Sequence, residues 1–374
     1  MFLNMKGVLV GGKKDELFSL APAQEISSGA QTGDIMPAQI CTRPFEWFEV
    51  HADGNVFCCC PAWVKKPLGN LLQDDLQSIW NGDRARLLRR TPLHGCSRSR
   101  CPHLLDGSKP VQEFSVLDPE LRRHYGDNSG LLPWGPKTLN LCYDPRCNLA
   151  CPSCRKSAPD VDADLLARLT ERVLSQVAPT VENLRLSGHG DPFAAPSYRF
   201  LLKNFCRDDW PQLQQIHLHS NGLLWDAATW AEFPTIQPFV TSAEISVDAA
   251  SAATYSLNRP GGDFFRLLDN LDFISRLPLR LKLSCVVQAN NFREMPAFVQ
   301  LAKRLGASVY FSQLVNWGTF SRDEFSRRAV HRPEHPLHQD FLSILQSISP
   351  LPQVDFGNLL PFLSSFPCKN ETAG

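Results

Sequence analysis

The chain has 374 residues, 43% of them hydrophobic and 20% charged, a globular composition long enough for a large core and for more than one module. Lys plus Arg and Asp plus Glu are both 38, so the formal net charge is zero, which argues against a nucleic-acid partner held by bulk positive charge. No stretch reaches the roughly 18 apolar residues that a membrane helix needs, so no membrane partner is expected.

Residues 1–38 read as an N-terminal extension. The short apolar run there ends at Lys13-Lys14 and lacks the pattern of a secretory signal. The KDEL at Lys14–Leu17 is internal, and the Asn370-Glu371-Thr372 sequon matters only in a secreted protein. A cytoplasmic location is therefore expected, where thiols stay reduced. The thirteen cysteines then read as metal or redox chemistry before disulfides.

Residues 39–105 form a cysteine-rich module. HADGNVFCC (51–59) predicts a hairpin with an Asp53-Gly54 turn that presents thiols. Leu71, Leu72, Leu76, Ile79 and Trp80 fit one helical face. Cys41, Cys58, Cys59, Cys60, Cys96 and Cys101 concentrate thiols in this module, which reads as a metal site before a disulfide framework. Residues 106–135, rich in turn formers, read as a linker with short local structure.

From 136 to 320 short alternating runs alternate with helical ones. TLNLCYD, ENLRLSG, LQQIHLHS, SAEISVD, LRLKLSCVVQ and SVYFSQL read as six strands. DADLLARLTERVLSQ, SYRFLLKNFC, DFFRLLDNLDFISRL and MPAFVQLAKRLG read as amphipathic helices. This order predicts parallel strands with helical crossovers. Parity puts Leu139, Leu141, Leu184, Leu186, Ile216, Leu218, Ile245, Leu281 and Leu283 on one face, under the helices. Asn140, Arg185, His217, His219, Glu244, Ser246, Asp248, Lys282 and Ser284 fall on the other. A face this polar in a parallel sheet predicts a cavity, with His217, His219 and Lys282 as substrate contacts. Cys285 and Cys206 read as small core residues; Cys142 shares the polar face and is a candidate hydrogen donor. Residues 321–374 form a helical or irregular extension, with Cys368 near its end.

The tight cysteine cluster is Cys147-x3-Cys151-x2-Cys154. Three thiolates in one short loop can hold a four-iron four-sulfur (4Fe-4S) cluster and leave one iron without a protein ligand. From spacing alone, a zinc loop with a distant fourth ligand is the equal alternative. The sequence downstream separates the two. CNLACPSC, LRLSGHGDP (184–192), HSNGLL (219–224), EISVDAASAATYSLNRPGG (244–262), CVVQANNFREM and SVYFSQLVNWGT resemble, in order, the motifs of the radical S-adenosylmethionine (radical SAM) superfamily. Two positions depart from its pattern: Ser153 stands where an aromatic residue is usual, and Asp191 where Glu is commoner. The N-terminal module resembles the SPASM domain, an auxiliary iron–sulfur domain of peptide- and protein-modifying radical enzymes, here placed before the barrel.

The resemblance implies an α/β fold, a partial (β/α)6 radical SAM barrel with a small N-terminal SPASM-like domain. It implies an oxidoreductase-type enzyme that cleaves S-adenosylmethionine at the Cys147, Cys151 and Cys154 cluster to a 5′-deoxyadenosyl radical, with a second 4Fe-4S cluster on Cys41, Cys59, Cys96 and Cys101, where Cys60 or Cys58 can replace Cys59 because three adjacent cysteines leave the register open; a structural zinc on the same four thiolates is the alternative. It gives Gly188, Gly190 and Asp191 to the methionine amino group, Ser246 and Asp248 to the ribose, and Arg259 to the SAM carboxylate, with Asn221 in the Asn-Gly turn. The implied substrate is a peptide or protein undergoing oxidation, epimerisation or crosslinking, with flavodoxin or ferredoxin as electron donor. The alternatives are the same chemistry on a sugar or small metabolite, and a non-catalytic metal-binding scaffold.

Overall fold

The computed structural model describes residues 39–90, 101, 103, 111–126, 129–157, 159–186, 189–349 and 351–363. These residues form one compact unit. In chain order the strands are β1 (Gln39–Cys41), β2 (Trp47–His51), β3 (Asn55–Phe57), β4 (Gly69–Asn70), β5 (Val111–Glu113), β6 (Thr138–Cys142), β7 (Asn183–Leu186), β8 (Gln215–Ser220), β9 (Val240–Ser246), β10 (Arg280–Val287), β11 (Ser308–Gln313) and β12 (Val354–Asp355).

Six of these, β6 to β11, are the strands expected from the alternating runs, and they pair in parallel in sequence order. Helical segments join them, as parallel pairing requires. Several of the helices open on side-chain caps that take up otherwise orphaned amides. Asp162 accepts from Leu165 N, Asp226 from Thr229 N, Ser251 from Thr254 N, and Asp263 from Phe265 N and Arg266 N.

The sheet is wider than six strands. β12 adds in parallel beyond β11, and β2 adds in parallel beyond β6. The order is β12-β11-β10-β9-β8-β7-β6-β2-β3-β4. The cysteine-rich module is therefore joined to the barrel by a backbone ladder from Trp47↔Thr138 to His51↔Cys142. Its β2–β3 hairpin has the expected turn: Gly54 has φ +80°, and its amide donates to His51 O at 2.9 Å. The segment read as a linker carries β5, which pairs with β1, and the helix Pro119–Gly126.

The parity reading holds. Leu139, Leu141, Leu184, Leu186, Ile216, Leu218, Ile245, Leu281 and Leu283 are buried in one continuous core with Phe48, Val50 and Cys285. On the other face Arg185, His217, His219, Glu244, Ser246 and Lys282 are partly buried, whereas Asn140, Asp248 and Ser284 are buried. Cys206 is a correction: the helix Pro196–Lys203 ends three residues before it, and the thiol is exposed rather than packed.

Candidate active site and cysteine centres

The loop after β6 carries Cys147, Cys151 and Cys154. Its entry is fixed by Asp144, which is fully buried and ion-paired with Arg146 at 2.6 Å, and which accepts from Ser197 N at 3.0 Å. A turn follows, with Cys154 N and Arg155 N both donating to Cys151 O. Arg155 Nη1 closes it by donating to Pro145 O at 2.6 Å.

Two further loops pack against this one. Gly190 has φ +77°, and a Cβ there would collide with the carbonyl oxygen of Asp144 and come within 2.7 Å of that of Arg146. Glycine is required on both counts. The buried carboxylate of Asp191 accepts from Phe193 N at 2.9 Å, Ser220 Oγ at 2.8 Å and Asn221 N at 2.8 Å. Asp191 thus ties the glycine-rich loop to the Asn-Gly turn, a bracing role that the motif alone did not reveal. Asn221 Nδ2 donates in turn to Asn148 Oδ1 at 2.8 Å and faces Cys147 Sγ at 3.5 Å. Burial pushes the Cys147 thiol up, and the nearby charge of Asp191 adds to this.

Asp248 and Arg259 stand beside Cys151. Arg259 donates to Asp248 Oδ2 through Nε at 3.0 Å and Nη2 at 2.7 Å, and Val286 N donates to Oδ1 at 2.7 Å. Burial alone would favour the neutral guanidine; the charges of Asp248 and Cys151 outweigh it and hold Arg259 protonated. The same guanidinium counters the effect of burial on Cys151, which is nevertheless raised. Asp248 is the one non-glycine residue at positive φ among the described residues, at +61°. Such a conformation outside glycine is sparsely populated and is kept only where surroundings enforce it. Here they do: Asn258 Nδ2 and Asn291 Nδ2 both donate to the Asp248 carbonyl.

On the polar face, His219 Nε2 lies 2.8 Å from Ser246 Oγ and 3.7 Å from Glu244. Ser246, read as a ribose contact, is thus engaged by His219. His217 Nδ1 pairs with Ser242 Oγ at 2.9 Å, while its Nε2 is buried with no hydrogen-bond partner. Burial first, then Arg185, His219, Lys282 and Arg280, push the His217 pKa down to about 2. Lys282 lies 3.8 Å from Asp355 of β12 and over the Tyr310 ring. Cys142 is buried on this face and faces Asn140 Nδ2 at 3.2 Å.

The second cysteine group gathers Cys41 from β1, the run Cys58–Cys60 after β3, and Cys101. Cys59 interacts electrostatically with Cys41, Cys58 and Cys60, and Cys101 with Cys41 and Cys60. Trp63 Nε1 donates to Cys59 Sγ at 3.2 Å. Cys58 is 2% exposed and belongs to the apolar core. Burial pushes Cys41 and Cys60 up to about 12, with neighbouring cysteines adding at Cys41 and the charge of Glu49, then those of Cys59 and Cys101, adding at Cys60. The Arg43 guanidinium counters part of this at Cys41 and Cys59, and a bound metal would favour the thiolates further. The donor set fits a thiolate-bound centre. Gly188, Cys96 and Cys368 lie outside the described residues.

Residues 41–102 match the SPASM iron–sulfur cluster-binding domain. Among solved structures, native anSMEcpe with bound AdoMet is 21% identical at a TM-score of 0.38, over 48% of this chain and 52% of that one. SuiB of Streptococcus suis bound to S-adenosylmethionine is 11% identical at a TM-score of 0.42, over 63% and 54%. Methylornithine synthase (PylB) is 12% identical at a TM-score of 0.38, over 58% and 63%. The chain spans about half the length of the first of these. No curated protein matches it. The SPASM match covers the segment that holds Cys41, Cys58, Cys59, Cys60 and Cys101, together with the hairpin that enters the barrel sheet.

Proposed function

We propose that this chain is a radical SAM enzyme with an auxiliary cluster, acting on a peptide or protein. The observation that carries this reading is the three-thiol loop Cys147–Cys154, braced through Asp191 and Asn221 against the two other motif loops, with the Asp248–Arg259 pair beside Cys151. When bound, the cluster and S-adenosylmethionine supply one-electron cleavage and hydrogen-atom abstraction, chemistry that belongs to the cofactors.

The chain's own groups do the positioning. Cys147, Cys151 and Cys154 hold the iron. Asp191 ties the glycine-rich loop to the Asn-Gly turn, Asn221 ties that turn to the cysteine loop, and Gly190 allows the close approach of backbones. Arg259, a guanidinium beside Cys151 that is ion-paired with Asp248, is the candidate contact for a carboxylate. His217, His219, Lys282 and Cys142 line the polar face on which substrate would lie. Cys41, Cys59, Cys96 and Cys101 are proposed to hold the auxiliary cluster, and the SPASM match supports a peptide or protein as substrate.

The test is anaerobic reconstitution with iron and sulfide, then S-adenosylmethionine and dithionite, with 5′-deoxyadenosine read by mass spectrometry. Wild type should form it and Cys147→Ala should not. A protein that retains only zinc and binds no S-adenosylmethionine would overturn the reading.

A further inference from the structure

The β2–β6 ladder creates a group of donors beside the N-terminal cysteines, where Glu49 acts electrostatically on Cys59 and Cys60, and Cys60 on Cys142. Glu49 and His51 lie two residues apart on β2 and so share its polar face; His51 stands directly opposite Cys142 of β6, and Glu49 opposite Asn140. One carboxylate oxygen of Glu49, one ring nitrogen of His51 and Cys142 Sγ all lie within 4.8 Å of one another. Glu49 is 5% exposed and Cys142 3% exposed. We propose that Glu49, His51 and Cys142 form a mononuclear site for a divalent cation of borderline softness, such as Zn2+ or Fe2+, with a ligand set of its own next to the N-terminal cysteine group.

Three features support this. The first is the donor set. A thiolate, an imidazole and one carboxylate suit zinc or ferrous iron, whereas Ca2+ and Mg2+ take oxygen ligands. The second is the outer shell. Glu49 Oε2 accepts from Trp47 Nε1 at 3.1 Å and from Asn140 Nδ2 at 2.9 Å, and Asn140 Nδ2 also faces Cys142 Sγ at 3.2 Å. One amide thus orients two ligands, and Oε1 is directed to the site, 2.8 Å from His51 Nε2. Metal sites commonly orient their ligands through such second partners. The third is rigidity, since all three ligands stand on two hydrogen-bonded strands. On binding, Cys142 gives up its thiol proton, and the His51–Glu49 hydrogen bond is replaced by bonds from both groups to the ion. Three protein ligands leave one tetrahedral position open, the pattern of a site that takes a water or a substrate donor. The ring of His189, from the glycine-rich loop, lies 6.0 Å from that of His51, so the site adjoins the proposed cofactor pocket.

The test uses full-length protein with its iron–sulfur centres reconstituted, and Co2+ as the probe. Bound cobalt is counted by elemental analysis, and its ligands are read by cobalt K-edge X-ray absorption, which does not see the iron. Wild type should retain one cobalt per chain, with a single sulfur at about 2.3 Å. Cys142→Ser should lose that sulfur. His51→Gln and Glu49→Gln should weaken cobalt binding at least tenfold, with iron content and circular dichroism unchanged. The proposal is overturned by any one of three results: wild type retaining no cobalt, cobalt showing two or more sulfurs, or Cys142→Ser leaving its spectrum unaltered. Formation of 5′-deoxyadenosine plays no part in this readout, so the site and the radical assignment succeed or fail separately.

Discussion

A side chain on Gly190 would strike the Asp144 carbonyl, and its backbone lies in the left-handed region at φ +77°. Gly190→Ala should therefore push the glycine-rich loop off the cysteine loop, lower stability by about 1–3 kcal/mol and reduce the iron retained after reconstitution. Denaturant midpoints and iron assays check both. Asp248 calls for a different replacement. Asn tolerates its positive φ but leaves the Arg259 charge buried without its partner. Asp248→Asn should cost about 3 kcal/mol or more in urea unfolding. His217 gives a pH signature. Its folded pKa is depressed to about 2, so below its ordinary value of 6.5 the unfolded chain binds a proton that the folded chain does not. Stability must then fall as pH drops through that window, with a slope on the order of 1 kcal/mol per pH unit from this group. His217→Gln should flatten the profile between pH 6 and 4 in unfolding titrations. At this scale the sequence identified Asp191, Asn221, Asp248 and Arg259 by their motifs. Their pairing with one another was not legible, because it depends on distances between loops remote in the chain.

Among the elements, β2 shows most clearly what packing adds. WFEVH alternates, with Phe48 and Val50 fully buried and Trp47, Glu49 and His51 on the polar face. Read alone, five alternating residues before an Asp-Gly turn are a hairpin arm. The same alternation also matches the period of β6, and the parallel ladder is the result. Phe48→Ala removes a buried ring that lies 6.2 Å from the ring of Trp80. It should cost about 3–5 kcal/mol and weaken both the cysteine-rich module and the barrel edge, seen as a lower melting temperature and loss of iron together. Arg89 is the polar counterpart. It is 1% exposed, stacks on Trp80, and donates to Pro44 O, Asn81 Oδ1 and Gly130 O. Nothing in an amphipathic pattern marks it, since an arginine near a helix end normally reads as surface.

Among the described residues one core cluster takes in buried side chains from Ile40 to Leu359, within one compact unit. Calorimetry should accordingly show the cysteine-rich module and the barrel unfolding in one transition. Metal bound by the folded state alone raises stability by mass action. Stripping iron with a chelator should therefore lower the midpoint of that single transition, and two separate transitions would count against the joined sheet.

The sequence by itself determined the six central strands, their helical crossovers, the two faces of the sheet and the two cysteine groups. Each of these rests on local periodicity or on close spacing, which the chain carries at every position. Only the tertiary structure decided that β2 and β12 extend the sheet, that Asp191 ties the glycine-rich loop to the Asn-Gly turn, and that Glu49, His51 and Cys142 meet. Those outcomes depend on which strand edge a short segment finds and on which distant backbone a buried polar group must satisfy. Both are set by packing across tens of residues, for which a linear pattern holds no local signal.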